Sequence, residues 1–185
     1  MQNQKMHQKI TWITTTAMMI AGLIVLQWAT GLIPMPTKLA QQLLTGSCVN
    51  AVLAVSVLLG GLWCGVTVAA LAPVFAQLLG VGAQFVQLVP AIMVGNAVYV
   101  LVLSLLATRK KLPHWSAILA VVLAAMVKFA VLLLLVRFVI NPLMGGKLPA
   151  MLLTMFSWPQ LVTALVGGLR VLSVLPVLKR ALNRS

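Results

Sequence analysis

Residues 39–79 read LAQQLLTGSCVNAVLAVSVLLGGLWCGVTVAALAPVFAQLL, an almost unbroken apolar run. A helix rises about 1.5 Å per residue, so about 20 apolar residues cross a hydrocarbon core of about 30 Å. The run is long enough for two such crossings, and Gly60-Gly61 interrupts it near its midpoint. The spacing predicts a tight helical hairpin, with one span from Leu39 to Gly60 and the next from Leu62 to Leu79.

Four further apolar runs flank this pair. The first extends from about Ile10 to Ala29 and ends before Gly31–Pro36, whose two prolines cannot continue a helix. Another covers about Gln84 to Thr108 and contains Pro90, expected to kink its outer part. The fifth span, about Trp115 to Ile140, is expected to stop at Asn141-Pro142, and the sixth covers about Ala150 to Leu178 with Pro159 and Pro176 bending or bounding it. The first run lacks a convincing small-residue cleavage site, so it reads as a retained helix and not as a secretory signal. The expected fold is an all-α membrane protein: one integral membrane domain, residues 1–185, forming a six-transmembrane-helix bundle.

Composition agrees with that class. Of 185 residues, 62% are hydrophobic and 7% charged, far from soluble usage. The charge is one-sided, with thirteen Lys and Arg and no Asp or Glu. In a soluble protein such a balance would point to nucleic acid. Here the basic residues cluster in the connections, so they set topology and meet lipid headgroups, and no nucleic-acid partner is expected. With the N-terminus inside, Lys5, Lys9, Arg109, Lys110, Lys111, Lys179, Arg180 and Arg184 face the cytoplasm, whereas only Lys38 and Lys147 face out. Both termini are therefore expected to be cytoplasmic, in a multi-pass protein of the cell membrane.

The missing residues exclude much chemistry. Carboxylates bind cations, relay protons and hold catalytic metals, so an acid-coupled carrier or a metal-dependent transferase has no apparatus here. No phosphate loop is present, and no Ser-His-acid triad can be assembled. His7 and His114 flank spans and read as interfacial side chains. Cys48 and Cys64 lack the paired spacing of metal or redox sites and read as small core residues. Neither an enzyme nor a resident cofactor or metal is expected; what remains is a binding subunit that borrows energy from a partner.

Several polar residues are placed to bind. Gln42, Thr45, Gly46 and Asn50 fall near one face of the second span at spacings of three to four. A polar stripe in lipid must face protein, water or ligand, so ligand contact and interhelical hydrogen bonding both fit. Gln84 and Gln87 lie at the outer end of the fourth span, with Asn96 and Tyr99 deeper. Phe156, Ser157, Trp158, Gln160 and Thr163 combine aromatic surface with polar tips, as small-molecule pockets do, although interfacial anchoring also explains Trp158. Arg137 and Arg170 either serve function or snorkel toward headgroups. Lys128 lies nearer the middle of the fifth span with no acid in the chain to pair with, so it meets backbone carbonyls, an anionic ligand or an acid on a partner. Ala17 and Ala21 form a small-residue pair on the first helix, as do Ala120 and Ala124 on the fifth. Such pairs let another helix approach closely, within the chain or from a partner.

Three stretches together resemble a known family: Thr14-Thr15-Thr16-Ala17-Met18-Met19-Ile20-Ala21, the segment Gln42-Leu43-Leu44-Thr45-Gly46-Ser47-Cys48-Val49-Asn50-Ala51, and Gly95-Asn96. They resemble the substrate-binding S components of energy-coupling factor (ECF) transporters, and the resemblance covers essentially the whole chain. It implies a subunit of a bacterial cytoplasmic membrane importer that captures a vitamin or similar micronutrient from outside. It also implies docking, through the Ala17/Ala21 face, onto a membrane scaffold subunit driven by two ATPase subunits. The implied pocket lies near the outer face between the fourth to sixth helices and adjoining loops, which makes Gln84, Gln87, Arg137, Trp158 and Gln160 candidates beside Gln42, Asn50 and Asn96. For the substrate, amide-rich cobalamin is expected first and pantothenate, whose carboxylate would want Arg137 or Lys128, second. The rival expectation is a structural or assembly subunit that binds no solute.

Overall fold

Runs of Ala, Leu, Val and Met without acids or long polar stretches leave the backbone of this chain one way to satisfy its own hydrogen bonds in lipid, the helix. The computed structural model describes residues 2–107 and 114–182. The expected basic stretch Arg109-Lys110-Lys111, the end of the fourth span at Thr108 and Arg184 lie outside the described residues. Along the chain come α1 (Gln2–Leu32), α2 (Lys38–Leu78), a 3-10 turn (Val86–Leu88) and α3 (Val89–Ala107). Then follow α4 (His114–Leu134), a π-helical stretch (Leu135–Ile140), α5 (Asn141–Leu143), α6 (Ala150–Met155) and α7 (Trp158–Leu182). Five helical stretches are long and apolar enough to cross a membrane: Lys9–Leu32, Lys38–Leu78, Val86–Leu106, Trp115–Leu143 and Ala150–Val177.

The second of these is not straight. Thr37 starts it, in extended backbone, by accepting a hydrogen bond from the Ala40 N–H at 3.1 Å. Gly61 breaks it, with φ 81° and ψ 178°, a conformation open only to glycine. A Cβ on Gly65 would lie 3.0 Å from Val57 Cβ, whereas a straight helix holds residues eight apart at about 12 Å. α2 therefore folds back on itself at Gly61 as two arms, 38–60 and 62–78.

Prolines act differently from the sequence expectation. α1 continues through Gly31 and Leu32 and ends only ahead of Pro34 and Pro36. Pro90 occupies the first turn of α3, where its missing N–H has no intrahelical partner to lose, so it starts the helix instead of kinking its interior. Asn141-Pro142 does not end the fifth stretch; the backbone widens into the π-helical segment just ahead of Pro142, and the helix runs to Leu143. Gly145 and Gly146, at φ 66° and 71°, make the stop. The sixth stretch is split by a turn at Phe156-Ser157, and Pro159 sits in the first turn of α7.

α2 packs against α1, α3 and α7, while α4 packs between α3 and α7. Leu53, Val57, Val68, Tyr99, Leu103, Val121 and Ala164 form the main core. Ala124 belongs to this core and Ala120 is buried as well, so that small pair serves packing inside the chain. A second apolar cluster, Leu88, Ala91, Val136, Leu148, Leu152, Met155 and Phe156, gathers around the 3-10 turn and α6. Lipid is as apolar as leucine, so close helix contact depends on small residues. At Gly167 of α7 a Cβ would sit 2.5 Å from Ser47 O and 2.8 Å from Ala51 N, which means the two backbones touch. That approach brings Thr163 to Asn50.

Candidate functional site

Asn50 of α2, Asn96 of α3 and Lys128 of α4 converge because their three helices pack around Tyr99 and Val121. The Lys128 ammonium donates to Asn50 Oδ1 at 2.6 Å and to Asn96 Oδ1 at 2.7 Å, and it stands 5.4 Å from the centre of the Tyr99 ring. The ring face adds a cation–π attraction. Asn50 Nδ2 donates in turn to Gly46 O at 2.8 Å and to Thr163 Oγ1 at 3.3 Å. The bond to Thr163 ties α7 into the cluster, and Thr163 Oγ1 itself donates within α7 to Gln160 O at 3.1 Å. Lys128 is 2% exposed and the sequence has no Asp or Glu, so among the described residues its ammonium is met by neutral dipoles.

This cluster forms the floor of a cavity of about 540 Å³. Its rim is made by exposed residues at the helix ends, among them Gly31, Lys38, Gly80, Gln84 and Met151. The two arms of α2 both border it, as the fold-back at Gly61 requires. Hydrogen bonds fix the polar wall. Gln42 Nε2 donates to Met155 O at 2.8 Å, and Gln41 Nε2 donates to Thr30 O at 2.6 Å. Gln27 Nε2 donates to Ala72 O at 2.9 Å, while its Oε1 is buried with no hydrogen-bond partner among the described residues. A buried acceptor without a partner is costly, and in a cavity wall it is an opening for a ligand donor.

Of the residues marked by the sequence, Gln42, Asn50, Gln84, Asn96 and Gln160 border this cavity. The polar stripe of α2 does both of the things open to it, since Gln42 and Asn50 bond to other helices and still line the space. Gln87 is exposed and outside the cavity. Arg137 borders a separate cavity of about 330 Å³ with Phe129, Leu153, Thr154 and Ser157. Trp158 is exposed at the start of α7. Ala17 and Ala21 sit on an exposed face of α1, beside Met18 and Val25, whereas Thr16 and Leu23 turn inward.

The cavity also reaches Gln27, which the sequence reading did not mark, and Gln41, a polar residue at the start of the second span outside the stripe of Gln42 and Asn50. Lys128 meets side-chain carbonyls instead of backbone ones. Gln27 carried a signal, an amide in an otherwise apolar turn of α1. The cavity draws on α1 and both arms of α2, not only on the later helices.

Long apolar helices around a cavity lined by both apolar and amide side chains define the class, a multi-pass membrane protein. Comparison with protein families finds a match to the model described as "ECF transporter, substrate-specific component" over residues 11–179. The chain belongs to that family, and so is the substrate-specific subunit of an ECF transporter. Comparison with curated proteins and with solved structures found no match.

Proposed function

We propose that this protein captures a small water-soluble micronutrient in the cavity above Lys128 and passes it inward after docking on a membrane scaffold subunit driven by two ATPase subunits. The observation that carries the reading is the cavity itself: about 540 Å³ inside a lipid-facing bundle, lined by apolar side chains among which Gln27, Gln41, Gln42, Asn50, Asn96 and Gln160 place amides. That volume lies within the range of small-molecule sites. A subunit with a purely structural role would gain nothing from such a void, because filling it with side chains would stabilise the bundle.

Counting the two arms of α2 separately gives six crossings in one integral membrane domain. With the basic termini in the cytoplasm of a bacterial cell, the rim beside Lys38 faces outward, where a solute arrives. The Ala17/Ala21 face of α1 is exposed and carries small side chains, which supports its use as the docking surface. Size reverses the expected order of substrates. Cobalamin, a corrin ring carrying a nucleotide loop, is too bulky for this volume to enclose, whereas pantothenate is small enough, and its amide and hydroxyl groups can pair with the glutamines and asparagines of the lining.

Native mass spectrometry of the detergent-purified protein with a pool of vitamins that includes pantothenate and cobalamin tests the reading. One retained small molecule is the expected result. A folded protein that retains none would overturn solute capture in favour of an assembly role.

A further inference from the structure

Lys128 is a buried basic side chain in a sequence without Asp or Glu. An isolated buried charge is held at a cost of several kcal/mol even after the surroundings relax, and an anion beside it removes much of that cost. The sequence has no acidic side chain to supply the anion. Two of the three ammonium N–H groups are engaged by Asn50 and Asn96, both through oxygen, which leaves one donor. Lys128 borders the cavity at its floor, and a second cation, Lys38, stands at the exposed rim. The space between them thus offers positive potential at both ends and no competing negative group.

We propose that the substrate carries a carboxylate and that Lys128 is its counter-ion, the residue that makes this site selective for an organic acid over the matching neutral compound. The inference rests on the solute-capture reading and narrows it to a chemical class. The carboxylate accepts the free N–H of Lys128 at the cavity floor, and the rest of the molecule extends toward Gln42, Gln160 and the rim. Asn50 and Asn96 are positioning residues: they hold the ammonium between α2, α3 and α4 with its remaining donor available.

The test uses full-length protein in detergent and thermal stabilisation as readout, with matched pairs differing only in charge: pantothenate and pantothenol, nicotinate and nicotinamide, biotin and biotinamide. Uncharged or cationic riboflavin, cobalamin and thiamine complete the panel. One acid should bind roughly 10- to 100-fold more tightly than its neutral partner, the scale of a hydrogen bond to a charged group. Lys128→Met should abolish the difference. Asn96→Asp, isosteric and at 2.7 Å from the ammonium, installs an internal counter-ion; it should raise the melting temperature without ligand and prevent acid binding. If Lys128→Met fails to fold, Asn96→Asp decides alone. Equal affinity for an acid and its neutral partner, or binding of riboflavin, cobalamin or thiamine alone, overturns the carboxylate inference and leaves solute capture standing. Binding of nothing in the panel overturns both.

Discussion

Gly167→Ala adds one methyl group where α7 meets α2, and the structure fixes what it strikes. The new Cβ would lie 2.5 Å from Ser47 O, 2.8 Å from Ala51 N and 2.8 Å from Asn50 Cβ, against the 3.4 Å at which ordinary contact begins. Two of these three atoms are backbone, which no rotamer change can move aside. The helices must separate by roughly an ångström instead. Overpacking of this kind costs about 1–3 kcal/mol. The Asn50 to Thr163 hydrogen bond, already 3.3 Å long, is lost with the separation and adds about 1 kcal/mol. The total, about 2–4 kcal/mol, corresponds to a fall in melting temperature of roughly 5–15 °C for a chain of this size. Affinity for the captured solute should drop about tenfold, because Asn50 helps to place Lys128. Gly22→Ala is the control, since its Cβ meets nothing within 4 Å and alanine favours the helix by up to about 1 kcal/mol. Melting followed by tryptophan fluorescence in detergent compares the two. A Gly167→Ala protein as stable as Gly22→Ala would refute direct backbone contact between α2 and α7.

Three other perturbations separate features that the fold makes independent. Gly61→Ala should destabilise by about 1–3 kcal/mol, because φ 81° with ψ 178° is strained for any side chain; in a straight helix the same change would stabilise, so a higher melting temperature would contradict the fold-back. Arg137→Ala should leave solute affinity within about twofold, since an exposed side chain bordering another cavity contributes little to the site. Loss of binding, measured by the same thermal stabilisation, would place Arg137 in the recognition path. Leucine at both Ala17 and Ala21 should lower copurification with the scaffold and ATPase subunits at least tenfold while solute affinity stays unchanged, and parallel loss of both would mean that α1 has no separate docking face.

The class of this protein and most of its architecture are legible in the order of its residues. Apolar runs too long for a soluble core, and a charge set without acids, dictate helices in a bilayer, because backbone groups in lipid can bond only within their own segment. Gly60-Gly61 at the centre of residues 39–79 marked the reversal, since a helix cannot pass through Gly61 at positive φ. The ends of helices were read less well. Pro90, Pro142 and Pro159 looked like breaks, yet proline is harmless in a first turn and tolerable beside a widened one, and local sequence does not say which register it will occupy. The site was legible one residue at a time. Gln42, Asn50, Asn96 and Gln160 stood out as polar groups in apolar helices, and Lys128 as a cation without an acid.

Which of them meet depends on how the helices pack. Asn50 and Lys128 are 78 positions apart, and they touch because small residues let α2, α3, α4 and α7 close around Tyr99. The same packing turned Gln27 of α1 into the cavity and left Gln87, Arg137 and Trp158 outside it. Periodicity along one helix shows which residues share a face. What that face meets depends on the rotation and depth of its neighbours, which are set by contacts such as Gly167 on Ser47 and not by any local pattern.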